Sequence, residues 1–243
     1  MKQLLLLFFA LSVSAAPGGF GINPSSKFGL IGFWPMNEGT GTAVRDYSGL
    51  ANNGTLNSGY TWTNGLLGSC VYFYSGYLKV PNSITLNPGS ALSLCLWVFP
   101  SSSQNAFGTM ASKYEPTLPD YCPKIDLNST GHKIRCYVYG AGPCANQVTC
   151  STDIPTAVWT QIVFVVSQTG SVLYTNSVVC STSSVTCAYY NDGTGSFSIG
   201  CAVGAGDAPG AYFVGAIENA SYYNRALSSD EVKRLYNGGY GAP

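Results

Sequence analysis

Residues 91–99 read ALSLCLWVF, with Leu92, Leu94 and Leu96 set against Ser93, Cys95 and Trp97. Side chains two apart share one face of a β-strand, so this alternation specifies a strand rather than a helix. Similar short apolar runs recur along the chain, bounded by Gly, Pro, Asn and Ser. LIGFWPM (30–36) is the first, and residues 131–139 form another. SCVYFY and YLKV flank Ser75-Gly76 and read as a hairpin. VWTQIVFVV (158–166) is nearly continuous, as a strand covered on both faces would be, and SVLYTN follows the Gln168-Thr169-Gly170 turn. GSFSIGCAV and AYFVGAIENASYYN complete the set. About a dozen short strands with turns at this spacing predict an all-β sandwich or jelly roll. Neither an internal repeat nor a second composition regime interrupts the 243 residues, so one domain is expected.

Residues 101–155 depart from the pattern. They hold six of the prolines, counting Pro100 at their edge, and four of the nine cysteines. They read as one or two strands within long loops pinned by disulfides, and loops of that length in a compact domain are usually functional.

The amino terminus predicts the compartment. Met1-Lys2, an apolar run over 4–13 and the small residues Ser14-Ala15-Ala16 fit a signal peptide over 1–16. A membrane anchor is the other reading, but the run is shorter than the roughly 20 residues that span a bilayer. Residues 17–28 read as a flexible Gly/Pro/Ser-rich arm, and 29–239 as the domain. A secreted, extracellular, uninserted protein is expected. Only 9% of the residues are charged and the net charge is +0, so no electrostatic footprint for nucleic acid or a membrane surface is present. In a secreted chain the nine cysteines should be mostly disulfides. Cys180–Cys187 suits a short hairpin, and Cys122, Cys136, Cys144 and Cys150 should pair among themselves. One cysteine is then left for a free thiol or an intermolecular bridge. No C-x-x-C pair occurs and His132 is the single histidine, which argues against zinc.

Charge concentrates at the end, in YYNRALSSDEVKRLYNGGY (222–240). Ser228 and Glu231 form an S-x-x-E capping box, Asp230 and Glu231 suit the positive helix end, and Lys233 and Arg234 the negative one. A helix of barely two turns, stopped near Gly238, should dock through Leu227, Val232 and Leu235, with its charges as a solvated face.

This segment resembles the closing run of LamG-like jelly-roll domains, the laminin-G/pentraxin-like branch of the concanavalin A-like sandwiches. Their R-x-Y-N-R-A-L-S-x-x-E-I-x-x-L-Y run follows the last strand. Residues 30–56, 65–87, LSLCLWVFP and VWTQIVFVVSQTGSVLYTNS match further family blocks in the family's order. The resemblance implies a jelly roll of two antiparallel sheets with a short terminal helix, and a protein that recognises carbohydrate or a glycosylated surface.

Retaining glycosidases on such sandwiches carry E-x-D-x-x-E on one strand. Here Glu218 is followed by Asn219, Ala220 and Ser221, while Glu38 and Asp46 fall on turns. No P-loop, dinucleotide fingerprint or H-E-x-x-H occurs, and an enzyme is not expected. Calcium binding, which the resemblance implies, would use Asp46 and Asn52 of the DYSGLANNG loop with Glu218 in place of the family's aspartate. The alternative for Asp46 and Asn53 is side-chain bonding to the turn backbone. Asp207 is a lesser loop acid. Trp34, Trp97 and Trp159 read as core, whereas Trp62 and the loop tyrosines Tyr114, Tyr121, Tyr137 and Tyr139 are candidate sugar-stacking residues. Asn53, Asn128 and Asn219 head N-x-S/T glycosylation sequences. The neutral Tyr/Gly/Ser/Asn-rich surface and the odd cysteine also suit self-association, as a structural subunit of an extracellular filament, coat or matrix.

Overall fold

The computed structural model describes residues 27–113, 123–128, 132–139, 145–185, 195–203 and 208–239. The signal peptide, most of the arm, Tyr114, Tyr121, Cys122, Cys144, Cys187 and Asp207 lie outside them. In chain order the strands are β1 (Leu30–Trp34), β2 (Ala43–Val44), β3 (Gly54–Asn57), β4 (Tyr60–Asn64), β5 (Ser69–Phe73), β6 (Tyr77–Val80), β7 (Leu92–Pro100), β8 (Thr109–Lys113) and β9 (Lys124–Leu127). They continue with β10 (Lys133–Tyr139), β11 (Ala145–Asp153), β12 (Thr160–Ser167), β13 (Gly170–Thr175), β14 (Val178–Ser183), β15 (Phe197–Ile199), β16 (Ala202–Val203), β17 (Pro209–Gly210) and β18 (Gly215–Tyr223). The helix is α1 (Ser229–Tyr236).

Two large antiparallel sheets result. The first runs β14-β13-β12-β7-β18-β5-β4, with β1 also paired to β18; the second runs β11-β10-β9-β8-β15-β6-β3-β2. Their inner faces share one core, in which Leu92, Leu94, Leu96 and Val98 of β7 join Ile125, Leu127, Ile134 and Val138 of the second sheet. This is the sandwich expected from alternation, with apolar inner faces, although central strands such as β7, β8, β9 and β12 are buried on both faces.

The SCVYFY/YLKV hairpin does not form. β5 pairs with β4 and β18 in the first sheet, whereas β6 pairs with β3 and β15 in the second. The chain instead changes sheet at residues 74–76, just where β3 and β4 also change sheet at Ser58-Gly59. The two corners touch: Tyr74 N donates to Gly59 O at 2.9 Å. A Cβ on Gly59 or Gly76 would lie 2.5–2.6 Å from the other corner's backbone, so both positions require glycine. Residues 101–155 likewise hold more than two strands. β8, β9, β10 and β11 are all there, and they escape notice because their outward positions are polar.

The carboxyl-terminal segment behaves largely as expected. Ser228 and Glu231 form the reciprocal capping box, and Asn237 ends α1 in the left-handed conformation. Val232 and Leu227 pack with Leu30, Phe33, Cys95, Val163, Val165, Tyr174 and Tyr223 into a second core on the outer face of the first sheet, against which Leu235 also rests. Its charge is not all solvated. Arg225 grips both Glu231 oxygens at 2.6 and 2.8 Å, and this guanidinium contact holds the Glu231 carboxyl down at about 2. No helix among the described residues is long and apolar enough to cross a membrane.

The cysteine expectations need correction. Cys150 of β11 bonds Cys180 of β14, with Cα atoms 5.4 Å apart, so neither the Cys180–Cys187 bridge nor pairing within 122–150 describes these two residues. The reason is topological: β11 and β14 are the edges of different sheets that the fold brings side by side. Cys70, Cys95, Cys136 and Cys201 are free thiols, each buried. Burial pushes the thiols of Cys70, Cys95 and Cys201 up to about 12, so they pack as small apolar groups rather than reacting.

Candidate functional site

The outer face of the second sheet carries a polar array, built strand by strand. On β9, Ile125 and Leu127 face the core, which turns Lys124 and Asp126 outward. On β10, Ile134, Cys136 and Val138 face inward and Arg135 and Tyr137 outward; on β11, Val148 and Cys150 face inward and Gln147 and Thr149 outward. Register aligns these in two rows. Lys124, Tyr137 and Gln147 lie opposite one another across the three strands, as do Asp126, Arg135 and Thr149. The first row continues through Ser112 of β8 to Ser198 of β15.

Asp126, fully buried, organises the array. Arg135 donates from Nε and Nη2 at 2.8 and 2.7 Å in a bidentate fork, Lys124 Nζ lies 3.1 Å from Oδ2, and Tyr137 Oη donates to Oδ2 at 3.2 Å. A buried carboxylate met by this many donors is rigid, and it fixes the long Arg135 and Lys124 side chains in place. Aromatic rings finish the setting. The Arg135 guanidinium carbon lies 5.1 Å from the ring centroids of both Phe107 and Tyr137, and Lys124 Nζ lies 5.5 Å from Tyr137. Accessibility grows toward the sheet edge: Tyr137, Lys124 and Asp126 are buried, Arg135 and Thr149 half-buried, and Gln147 exposed. An ordered set of donors, acceptors and ring faces is suited to polar ring-shaped molecules and contains no nucleophile–base pair.

Of the residues expected to stack on sugars, Tyr137 belongs to this array. Tyr139 ends β10, where only its backbone is described. Trp62 is not on a looser segment. It lies in the edge strand β4, packs against the main core, and donates from Nε1 to Gly41 O at 3.0 Å, as Tyr60 Oη does at the same distance. That pair ties the β4 edge of the first sheet to the chain entering β2 at the edge of the second. Trp34 and Trp97 are buried as expected, while Trp159 is half-buried outside the strands.

Of the calcium candidates, Asp46 and Asn52 share one hydrogen-bonded loop, whereas Glu218 bonds a different turn. Asp46 Oδ1 accepts from Phe33 N and Ser48 N, and its Oδ2 from Asn52 N and Ser48 Oγ, all within 2.9 Å. Asn52 Oδ1 accepts from Thr85 Oγ1, its Nδ2 donates to Ile31 O, and Asn53 Oδ1 accepts from Asp46 N. Four hydrogens already point at the Asp46 carboxylate, so it locks the loop through the turn backbone. Glu218 instead lies beneath the 65–68 turn, 1% exposed, where its Oε2 accepts from Leu66 N at 3.0 Å. No group of three His, Cys, Asp or Glu suited to a metal occurs among the described residues. A calcium site at a hundredfold excess over its Kd would raise the melting temperature by roughly 5–10 °C. The expected result in thermal unfolding is the same melting temperature in calcium and in chelator.

Among the remaining candidates, Glu38 Oε1 accepts from Arg45 N, and His132 O accepts from Ile154 N beside β11. Asn53 is exposed, Asn128 is half-buried with Oδ1 accepting from Lys133 N, and Asn219 is half-buried at a bulge of β18. The array residues Lys124, Asp126, Arg135, Gln147 and Thr149, and Phe107 beside them, were not singled out by sequence. Polar–apolar alternation in KIDL and KIRCYVY was the available signal, masked by the surrounding Pro and Cys.

Comparison with curated protein sequences gives no match. Domain 4 of AbnA, an extracellular GH43 arabinanase from Geobacillus stearothermophilus solved with arabinotriose, superposes with a TM-score of 0.63 at 20% identity, over 85% of this chain and 98% of that one. The binding domain of Paraclostridial Mosquitocidal Protein 1 gives 0.68 at 15% identity, over 88% of this chain and 53% of that one. The ligand-binding domain of botulinum neurotoxin serotype D, solved with N-acetylneuraminic acid, gives 0.63 at 12% identity, over 87% and 51%. The chain thus spans about half of each toxin binding domain and nearly all of the arabinanase domain; at these identities the likeness is one of fold. A profile described as the concanavalin A-like lectin/glucanases superfamily matches residues 74–233, well over half of the sequence. With that match and the jelly-roll sandwich behind it, the chain belongs to the concanavalin A-like lectin/glucanase superfamily.

Proposed function

We propose that this is a secreted, non-catalytic domain that binds carbohydrate or a glycosylated surface on the outer face of its second sheet. The observation that carries this reading is the Asp126-centred array, in which a bidentate Arg135, Tyr137 and Lys124 are held rigid beside the accessible Gln147 and Thr149. Hydroxyl-rich ligands need such fixed donors and acceptors, because a flexible site would lose the ordering entropy on binding. Two fold relatives, an arabinanase domain and a toxin binding domain, were solved with sugars, which supports this ligand class. The site uses no metal drawn from Asp46, Asn52 or Glu218.

The test is an array of immobilised oligosaccharides that includes arabinotriose and chains ending in N-acetylneuraminic acid, followed by calorimetric titration of the best binder. The double variant Gln147→Ala/Thr149→Ala removes accessible contacts and no core packing. It should weaken binding by at least about fivefold, near 1 kcal/mol, at an unchanged melting temperature. Unaltered affinity would place the site elsewhere.

A second reading, a structural subunit of an extracellular filament, coat or matrix, rests on β14. This edge strand of the first sheet exposes Val178 and Val179 at 67% and 53%, a template for strand-to-strand association. Light scattering separates the two: recognition predicts a small particle that competes for soluble sugar, and the structural role predicts large assemblies indifferent to it.

A further inference from the structure

Phe107 is an anomaly on the same face. Gly108 N donates to Asn105 O at 3.1 Å, closing a four-residue turn, and Phe107 is its third residue with φ +59°. That position ordinarily holds Gly or Asn, and a bulky aromatic there is strained. Core packing does not compensate, because Phe107 is 41% exposed. The surroundings nonetheless hold the turn firmly. Asn105 Nδ2 donates to Tyr212 O at 3.0 Å, Thr109 N donates to Ala211 O at 2.8 Å, and Gln104 bonds Val214 through both its amide atoms. The Arg135 guanidinium, itself fixed by Asp126, backs the ring at 5.1 Å. Strain retained at an exposed, propped side chain points to function rather than stability.

We propose that Phe107 is the platform on which one sugar ring of the bound carbohydrate stacks, a role that rests on the carbohydrate reading above. The guanidinium backs one face of the ring, and the residue as a whole is 41% exposed, which leaves ring surface for a ligand. Aromatic faces carry negative charge density, which attracts the polarised C–H face of a sugar ring. Thr149 lies directly opposite Arg135 on β11, so hydroxyls at the rim of a stacked sugar meet the polar rows. A protein partner is the poorer fit. Stable protein interfaces bury about 800 Å² on each side, whereas Phe107 is a single exposed ring beside charged and polar side chains. Ile84, Val178 and Val179, the most exposed aliphatic residues among those described, stand on other segments.

The experiment compares Phe107→Asn, Phe107→Trp and Phe28→Ala with the unaltered protein, titrating the strongest oligosaccharide from the array and melting each variant. Phe28 is the control, an exposed ring that rests on a different arginine, Arg225. Asn accepts the left-handed backbone, so Phe107→Asn should melt at or above the original temperature while binding falls at least tenfold. Phe107→Trp should keep binding within about threefold, and Phe28→Ala should leave it unchanged. Undiminished binding by Phe107→Asn overturns the platform while leaving carbohydrate recognition standing. A melting temperature that falls together with binding in Phe107→Asn, without recovery in Phe107→Trp, makes the ring structural and overturns it as well. Failure of the unaltered protein to bind any sugar overturns both readings.

Discussion

Stability should fall as pH rises from 5 to 8, and Glu218→Gln should abolish that fall. Glu218 stands on the outer side of β18, and its partners come from the tight 65–68 turn. Leu66 N donates to Oε2, whereas Oε1 is buried with no hydrogen-bond partner. Gly65 approaches so closely that a Cβ there would lie 2.0 Å from Oε2. Desolvation is the largest influence and outweighs the turn's backbone donors, raising the carboxyl to about 7. The unfolded chain ionises this group near the ordinary glutamate value of about 4.3. Between the two values the native state holds the extra proton, so its stability declines as pH rises and levels off above the folded value. Each unit of difference corresponds to about 1.4 kcal/mol, which makes the full loss nearly 4 kcal/mol, of which roughly 3 kcal/mol falls between pH 5 and 8. For a domain of this size that is roughly 6–12 °C in melting temperature. Glu231, held at about 2, does the opposite in a different window, losing stability only as acid protonates it, and it is constant from pH 5 upward. Cys70, beside Glu218 and raised to about 12, stays a thiol throughout. Melting curves of the protein and of Glu218→Gln at pH 5, 6, 7 and 8 decide the matter. Parallel curves for the two proteins would show that Glu218 is ionised in the fold at all four values.

What the sequence disclosed depended on how far each feature is local. β7 and β12 were legible because Leu92–Leu94–Leu96 and the 158–166 run bury their own faces whatever surrounds them. The capping box of α1 was legible for the same reason, since Ser228 and Glu231 satisfy each other. Sheet membership was not. Tyr77–Val80 alternates equally well as the partner of β5 or as a strand of the opposite sheet, and the choice was made by Gly59 against Gly76, residues far apart in sequence. The candidate site was obscured by its own chemistry. Lys124, Asp126 and Arg135 dilute the apolar signal of β9 and β10, and their meaning lies in register, which brings Asp126 opposite Arg135 across nine residues of sequence. Phe107 carries no sequence signal, because its information is a backbone angle. Trp62 shows a different limit: its polar neighbours suggest a loose segment, whereas it lies half-buried in β4 and its indole joins two sheet edges.

Those edges set the second large effect. Cys150→Ala/Cys180→Ala should lower the unfolding free energy by roughly 3–4 kcal/mol, from the entropy released when a loop spanning 30 residues is no longer closed in the unfolded chain. The bridge has particular leverage because β11 ends the second sheet and β14 ends the first, so it clasps the sandwich along one open side. Asn146 makes a neighbouring tie, accepting from Ser171 Oγ at 2.8 Å and donating to Val185 O at 2.7 Å. On the opposite side the Trp62 and Tyr60 bonds to Gly41 are partly solvated, and Trp62→Phe should cost only about 1 kcal/mol. Asn146→Ala should therefore cost less in the oxidised protein than the sum with the cysteine variant requires, since the two ties share one joint and are not independent. Urea unfolding of the single, double and triple variants measures each term. Peptide mapping of the unreduced protein should recover Cys150 linked to Cys180, with the buried Cys70, Cys95, Cys136 and Cys201 alkylated only after unfolding. Recovery of Cys180 linked to Cys187 would unmake the clasp, and the cysteine variant would then lose only the smaller entropy of a short hairpin loop.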